Sequence, residues 1–275
     1  VGGRSARAPK VRNRLTRRER LARCHHPADI SALGTAVDRI AHTHEGAITV
    51  KRLATTLALL LVFGVAPVSA QDSDMSFFIT SAGSGSGADL GGLAGADQHC
   101  QDLAYAVGFG DITWRAYLST VSMGGEAAVN ARDRIGSGPW HNYAGELIAE
   151  NVDQLHSDAA NLTKESILTE KGSMVKRRGD SPNQHDIRTR APLDGRAVTA
   201  EGHDACDNWT STSADGSAQV GHHDRQGGGQ NPTSWNSAHG SRGCSQENLQ
   251  ATGGNGYFYC FAIDAQDQDA ALREE

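Results

Sequence analysis

Five cysteines occur in the 275 residues, at Cys24, Cys100, Cys206, Cys244 and Cys260, and the last four all follow a segment patterned for export. An even cysteine set in an oxidising compartment is the signature of two disulfides. Each bridge must bring two Cα atoms within about 7 Å, so two of them restrict the fold more than composition does. Four cysteines allow three pairings, and spacing alone does not choose among them.

The export pattern is local and legible. Lys51 and Arg52 form a short basic region, Leu53 to Ala66 is almost unbroken apolar sequence, and Pro67-Val68-Ser69-Ala70 offers the small residues that a signal peptidase reads. This predicts a signal peptide over 50–70, cleaved after Ala70. A membrane-spanning helix needs about 20 apolar residues, and this run is too short. No cysteine follows the cleavage point to carry a lipid anchor. Residues 1–49 are arginine-rich, begin with Val1 and precede the first methionine, Met75. They are expected to be a non-native or disordered basic leader, translated upstream of a start near Val50. A nucleic-acid-binding arm would have no evident purpose ahead of an export signal. Cys24 falls in this leader, and the expected location of the mature chain is secreted or periplasmic.

Charge divides at the same point. Residues 1–70 carry 12 Lys+Arg against 4 Asp+Glu, whereas residues 71–275 carry 14 against 28, a balance of −14. An acidic mature chain disfavours nucleic acid and anionic lipid as partners. Its length suits one domain over 71–275, with a core at about 76–263 and an acidic tail at 264–275.

Periodicity predicts strand, loop, helix, strand at the start of that domain. Phe77 to Thr80 suits a short strand, and Gly83 to Gly87 a loop without the Lys-Ser/Thr ending of a phosphate-binding P-loop. Leu93, Ala96, Cys100, Leu103 and Val107 recur at helical intervals, which puts Cys100 on a buried helix face, with Gly108 at the end. Trp114, Ala116 and Leu118 alternate with polar residues as in a half-buried strand. Ala128, Ala131 and Ile135 suggest a second helix, and Ile148, Val152 and Leu155 a third. At the far end Tyr257, Tyr259, Phe261 and Ile263 share one strand face, opposite Phe258, Cys260 and Ala262. A bridge from the early helix to the late strand would close the domain ends, so a nested arrangement of Cys100–Cys260 and Cys206–Cys244 is physically sensible, though not the sole possibility.

Several ordered motifs resemble a known family. The run GADQHCQDLAYAVGFGDITWRAYLS (Gly95 to Ser119), DGRAV from Asp194, CDNWTS from Cys206, GSAQVG from Gly216 and YFYCF from Tyr257 are similar to the endostatin domain of collagens and to exported bacterial domains often labelled lectins. Both have the C-type lectin-like fold. The resemblance spans about Ser76 to Ile263 and implies an α+β domain with mixed antiparallel sheets, flanking helices and the nested disulfide pairing. It also directs attention to sugar binding. Calcium-dependent C-type lectins use a Glu-Pro-Asn or Gln-Pro-Asp loop and a Trp-Asn-Asp strand. This chain has Ser181-Pro182-Asn183 and Trp235-Asn236-Ser237, with serine in place of each acidic ligand. Calcium needs several carboxylate and carbonyl oxygens, so a calcium-bridged sugar site is disfavoured. Endostatin-like domains also bind heparin through arginines. Here Lys176, Arg177, Arg178, Arg188, Arg190 and Arg196 place 6 of the 14 mature positive charges within 21 residues, and a solvated loop is the reading preferred over a polyanion patch.

Two sets of residues carry the chemistry. His203, His222, His223 and Asp224, with Asp204 and His239 beside them, offer imidazoles and carboxylates of the kind zinc takes. No His-Glu-x-x-His helix is present, and adjacent His222 and His223 would point opposite ways on a strand. The zinc of endostatins is held by N-terminal histidines with no counterpart here, so zinc as a cofactor is suggested by these residues alone. The second set is a loop over 203–240. Gly227-Gly228-Gly229 supplies backbone freedom, and Gln230, Asn231, Asn236, Ser237 and His239 supply donors and acceptors. Trp235 would offer a flat face for a sugar ring, whereas Trp114, Trp140 and Trp209 are expected in the core. The expectation is an exported, non-catalytic binding module for a glycan. The alternatives are a structural or protein-binding module facing an extracellular or surface protein, and a zinc-dependent hydrolase.

Overall fold

The computed structural model describes residues 74–197 and 205–263, all of which belong to one contact unit, Ala70–Glu275. The segments read from sequence as a basic leader, a signal peptide and an acidic tail, together with His203 and Asp204, lie outside the described residues. No helix among the described residues is long and apolar enough to cross a membrane.

The chain opens with β1 (Phe77–Ile79), helix α1 (Gly92–Ala106) and β2 (Trp114–Ala116). A single 3-10 turn (Ala131–Asp133) leads to the hairpin of β3 (Trp140–His141) and β4 (Leu147–Ala149), then the one-turn helix α2 (Val152–Leu155). β5 (Asp186–Arg188), β6 (Gln219–His222) and β7 (His239–Gly240) follow, then helix α3 (Gln246–Thr252) and the long β8 (Gly254–Ala262). The main sheet runs β1-β8-β5-β6-β7, with β2 also paired to β8. All these pairings are antiparallel except β5–β8, which is parallel. The protein is thus α+β with largely antiparallel sheets.

β8 organises the interior because both of its faces are apolar. Tyr257, Tyr259 and Phe261 enter one core cluster with Phe77, Ile79, Trp140 and Trp235. Phe258, Cys260 and Ala262 enter the other with Phe78, Trp114, Trp209 and the α1 residues Ala96, Cys100 and Ala104. The period-2 alternation of the sequence therefore separates two cores rather than core from solvent. Both disulfides lie in the second cluster. Cys100 of α1 bonds Cys260 of β8, and Cys206 bonds Cys244, so the nested pairing holds. Asp97 fixes α1 to β2, pairing with Arg115 at 2.7 Å and Arg134 at 2.6 Å while accepting the Ala116 N–H at 2.9 Å.

Two helix expectations need correction. Between Ala128 and Ile135 only the 3-10 turn forms. Ile148 lies in β4, and α2 starts afresh after Asn151, whose side chain caps it by accepting the Gln154 N–H at 2.9 Å. The spacing misled because Ala131, Ile135, Ile148 and Leu155 all face the same core cluster from separate segments. The basic segment also differs from expectation. Arg188 and Arg190 are each 1% exposed, because β5 is covered on both faces. The Arg188 guanidinium donates to the carbonyls of Gly87, at 2.6 Å, and Gly256, and lies over the Phe258 ring.

At Cys206 the backbone makes an uncommon turn. Ala205 through Trp209 all have φ between 50° and 70°, a left-handed turn of five L-residues. It is held by the Cys206–Cys244 bridge, by Asn208 bonding both the N–H and the C=O of Val121, and by Trp209 Nε1 donating to Ser119 O at 2.9 Å.

Candidate functional site

Strand order brings the candidate site together from three separate segments. Asp186, at the head of β5, lies opposite His222 in β6 and opposite Gly254 in β8. β7 then pairs with β6 so that His239 faces Val220, two residues from His222. His185 precedes β5 and stacks on His222, with ring centroids 4.3 Å apart and planes within 8°. Donor atoms of His185, Asp186 and His222 all lie within 4.8 Å of one another.

Three imidazole Nε2 atoms surround one carboxylate oxygen. Asp186 Oδ1 lies 3.1 Å from His185 Nε2, 3.4 Å from His222 Nε2 and 3.6 Å from His239 Nε2. His222 Nε2 and His239 Nε2 are 3.0 Å apart. The opposite ring nitrogens are all engaged. His185 Nδ1 meets Asp224 Oδ1 at 3.1 Å, His222 Nδ1 meets the Pro232 carbonyl at 2.8 Å, and His239 Nδ1 meets the Gly240 carbonyl at 3.1 Å. A carbonyl only accepts, so Nδ1 of His222 and of His239 carries the proton and the neutral ring turns a bare lone pair inward. Both carboxylate oxygens of Asp186 are buried without a hydrogen-bond donor.

Asp224 supports this arrangement from outside. It accepts the backbone N–H groups of Arg178 at 2.8 Å and Gln226 at 3.1 Å besides His185 Nδ1. Burial alone would raise its pKa, but these bonds outweigh that and bring it to about 2. Burial alone would lower the His222 pKa. The nearby Asp186 carboxylate, the hydrogen bond to the Pro232 carbonyl and the charge of Asp224 reverse this and raise it.

The loop between β6 and β7 closes over the cluster through glycine. A Cβ on Gly227, whose φ is 154°, would lie 2.3 Å from the His222 ring, and one on Gly229, at φ 94°, would lie 2.8 Å from the His239 ring. A Cβ on Gly221 would lie 1.8 Å from the Trp235 carbonyl oxygen. The loop thus approaches as closely as backbone can, and the glycines act by allowing contact rather than by loosening the chain.

Beyond the loop lie two adjoining clefts of about 390 Å³ and about 740 Å³, which share Leu193, Gln230 and Asn231. Arg225 lines the smaller one, and its Nε is buried without a hydrogen-bond partner. Arg196, Asp194 and Gln219 line the larger.

The residues singled out from sequence therefore separate. His222 joins the cluster, as does His239, which the sequence reading assigned to ligand contact. Asp224 orients His185 from the second layer. His223 turns away, its Nε2 3.2 Å from the Lys176 carbonyl and its pKa lowered by burial. Gln230 and Asn231 line both clefts. Trp235 is 4% exposed and packs against Tyr117, His156 and Tyr259, so its ring face is not open to a sugar. Asn236 is buried and donates to Tyr117 Oη and the Pro192 carbonyl. Of the calcium-type motifs, Asn183 Oδ1 accepts the His185 N–H at 3.3 Å and Asn236 Oδ1 accepts the Ser234 hydroxyl at 3.0 Å.

The chain matches no protein-family model and no curated protein. Sequence reasoning missed His185 and Asp186. Their only local signal is a His-Asp pair at the head of a strand that reads neither as apolar nor as alternating.

Proposed function

We propose that the chain is an exported, non-catalytic binding module of the C-type lectin-like fold that recognises carbohydrate through the clefts around Gln230 and Asn231. The observation that carries this reading is the lining of those clefts. They combine amides, hydroxyls and arginines with a floor in which Trp235 packs against His156, ring centroids 5.7 Å apart. Such polar convergence over a preformed surface suits a polyhydroxylated ligand. The nested disulfides support the fold reading, because Cys206–Cys244 fastens the chain on either side of the segment that forms the clefts. The sequence pattern over Lys51 to Ala70, together with two disulfides, supports export.

Glycan-array binding tests the proposal. Gln230 is exposed and its side chain supports nothing else, so Gln230→Ala should weaken binding without changing stability. Arg225→Gln should weaken binding to carboxylated glycans most. Absence of signal on every glycan, alongside capture of a surface protein without glycan, would favour the protein-binding alternative, for which Leu193, 54% exposed at the rim, would be a contact.

A further inference from the structure

We propose that His185, Asp186, His222 and His239 form a four-donor site for a divalent metal of the zinc class, which fastens the two ends of the cleft-forming loop. The first argument is geometric. A tetrahedral zinc with bonds of about 2.0–2.2 Å sets its donor atoms about 3.3–3.6 Å apart. Four of the six separations among these donors are 3.0, 3.1, 3.4 and 3.6 Å. His185, Asp186 and His222 already converge within 4.8 Å of one another, and His239, 3.0 Å from His222 Nε2, must close in on them to complete the shell.

The second argument concerns hydrogen bonding. Nδ1 of each histidine is turned to an oxygen, which leaves the Nε2 lone pairs directed at a carboxylate that has no donor of its own. Buried acceptors facing one another are costly unless a cation or a proton lies between them. Each histidine also has the outer partner that metal-bound histidines characteristically use, a carboxylate for His185 and carbonyls for His222 and His239. The third argument is steric. Gly227 and Gly229 permit the loop to seat directly on the His222 and His239 rings, so the loop is shaped around this cluster.

Donor chemistry selects the metal. Three imidazoles and one carboxylate suit zinc, whereas calcium and magnesium prefer all-oxygen shells. Four protein donors leave no open position for water or substrate, which marks a structural rather than a hydrolytic site. The side chains of Asp186 and His222 are 2% and 0% exposed, while that of His239 is 26% exposed and supplies the entry path. The metal would tie β5 to both ends of the 223–238 connection and so hold the segment that carries Arg225, Gln230 and Asn231.

The test uses the full chain, oxidised and without a polyhistidine tag, stripped with chelator and titrated with zinc against a chromophoric competitor. One zinc per chain is expected, with a rise in thermal midpoint that calcium and magnesium at the same concentration do not produce. Asp224→Asn should weaken zinc by about 10–100-fold while keeping one site. His239→Ala, at the exposed ligand, should weaken it further, and His99→Gln, on α1, should not change it. Cobalt(II) gives a spectroscopic check, since the parent should show the intense visible bands of a tetrahedral ion and Asp186→Asn, shown to be folded by circular dichroism, should lose them. Zinc that fails to bind or to raise the midpoint would overturn the proposal and leave a proton shared among the histidines in its place. So would His239→Ala and Asp186→Asn chains that bind like the parent. Glycan binding is read separately, so failure of either proposal is distinguishable from failure of the other.

Discussion

Substituting Asp207 by glycine should stabilise this protein, although the same change in an ordinary helix destabilises it. Asp207 is exposed and lies at the centre of the left-handed turn, with φ 53° and ψ 48°. An L-residue held there costs roughly 1–2 kcal/mol relative to its preferred conformations, with Asp toward the lower end. Glycine removes that cost but makes the unfolded chain more flexible, which takes back about 0.4–1 kcal/mol. The contact that Asp207 makes, accepting the Thr210 hydroxyl at 2.7 Å, uses its backbone carbonyl and survives the change. The net expectation is a gain of up to about 0.6 kcal/mol. With a urea dependence of about 2 kcal/mol per molar, the unfolding midpoint should rise by up to about 0.3 M. Asn208→Gly is the control. It has nearly the same dihedrals, but it loses two hydrogen bonds to Val121, each contributing about 0.5–1.5 kcal/mol, so it should be neutral to destabilising. Urea denaturation of the oxidised protein measures both. A loss near 1 kcal/mol for Asp207→Gly, the usual value for glycine in a right-handed helix, would refute the turn.

Three further outcomes follow from packing, cross-linking and titration. Gly221→Ala should cost about 2–3 kcal/mol by forcing the Trp235 carbonyl off β6, whereas Gly228→Ala, with open space at its Cβ, should stay within about 0.5 kcal/mol, both read from denaturation midpoints. Replacing Cys206 and Cys244 by alanine should cost about 4 kcal/mol and replacing Cys100 and Cys260 about 5 kcal/mol, from loop closures over 38 and 160 residues; the reverse order would contradict the nested scheme's energetics. Burial lowers the His156 pKa below its usual 6.5, against the Val152 carbonyl hydrogen bond. Its contribution to stability should be complete above pH 6.5 and decline as pH falls below that value, by at most about 1.4 kcal/mol per pH unit. Stability measured from pH 7 to 5 should show a shallower decline in His156→Gln.

What was legible in the sequence was what local pattern controls. Helix α1, β1, β2 and β8 follow from spacing, because each buries a face that repeats at its own period. The misread stretch at Ile148–Leu155 has helical spacing by coincidence, since a strand and a short helix supply the same core from either side of Asn151. Arg188 and Arg190 read as a solvated run because their burial comes from β6 and β8, strands far away in sequence. The candidate site failed for the same reason. His222 and His239 were visible as histidines, but Asp186 and His185 become their neighbours only through the order β8-β5-β6-β7, and the parallel β5–β8 step in it has no local signature. The triple glycine reads from sequence as backbone freedom, and Gly227 and Gly229 do take positive φ, but that His222 and His239 lie against them has no signal in the sequence.

Crystals of the zinc-loaded chain, with diffraction recorded on both sides of the zinc absorption edge, test the account most directly. The expected result is one anomalous peak bonded at about 2.0–2.2 Å to Nε2 of His185, His222 and His239 and to a carboxylate oxygen of Asp186, with the 223–238 loop seated over it. An anomalous map with no peak there, and His222 and His239 hydrogen-bonded directly to each other, would contradict it.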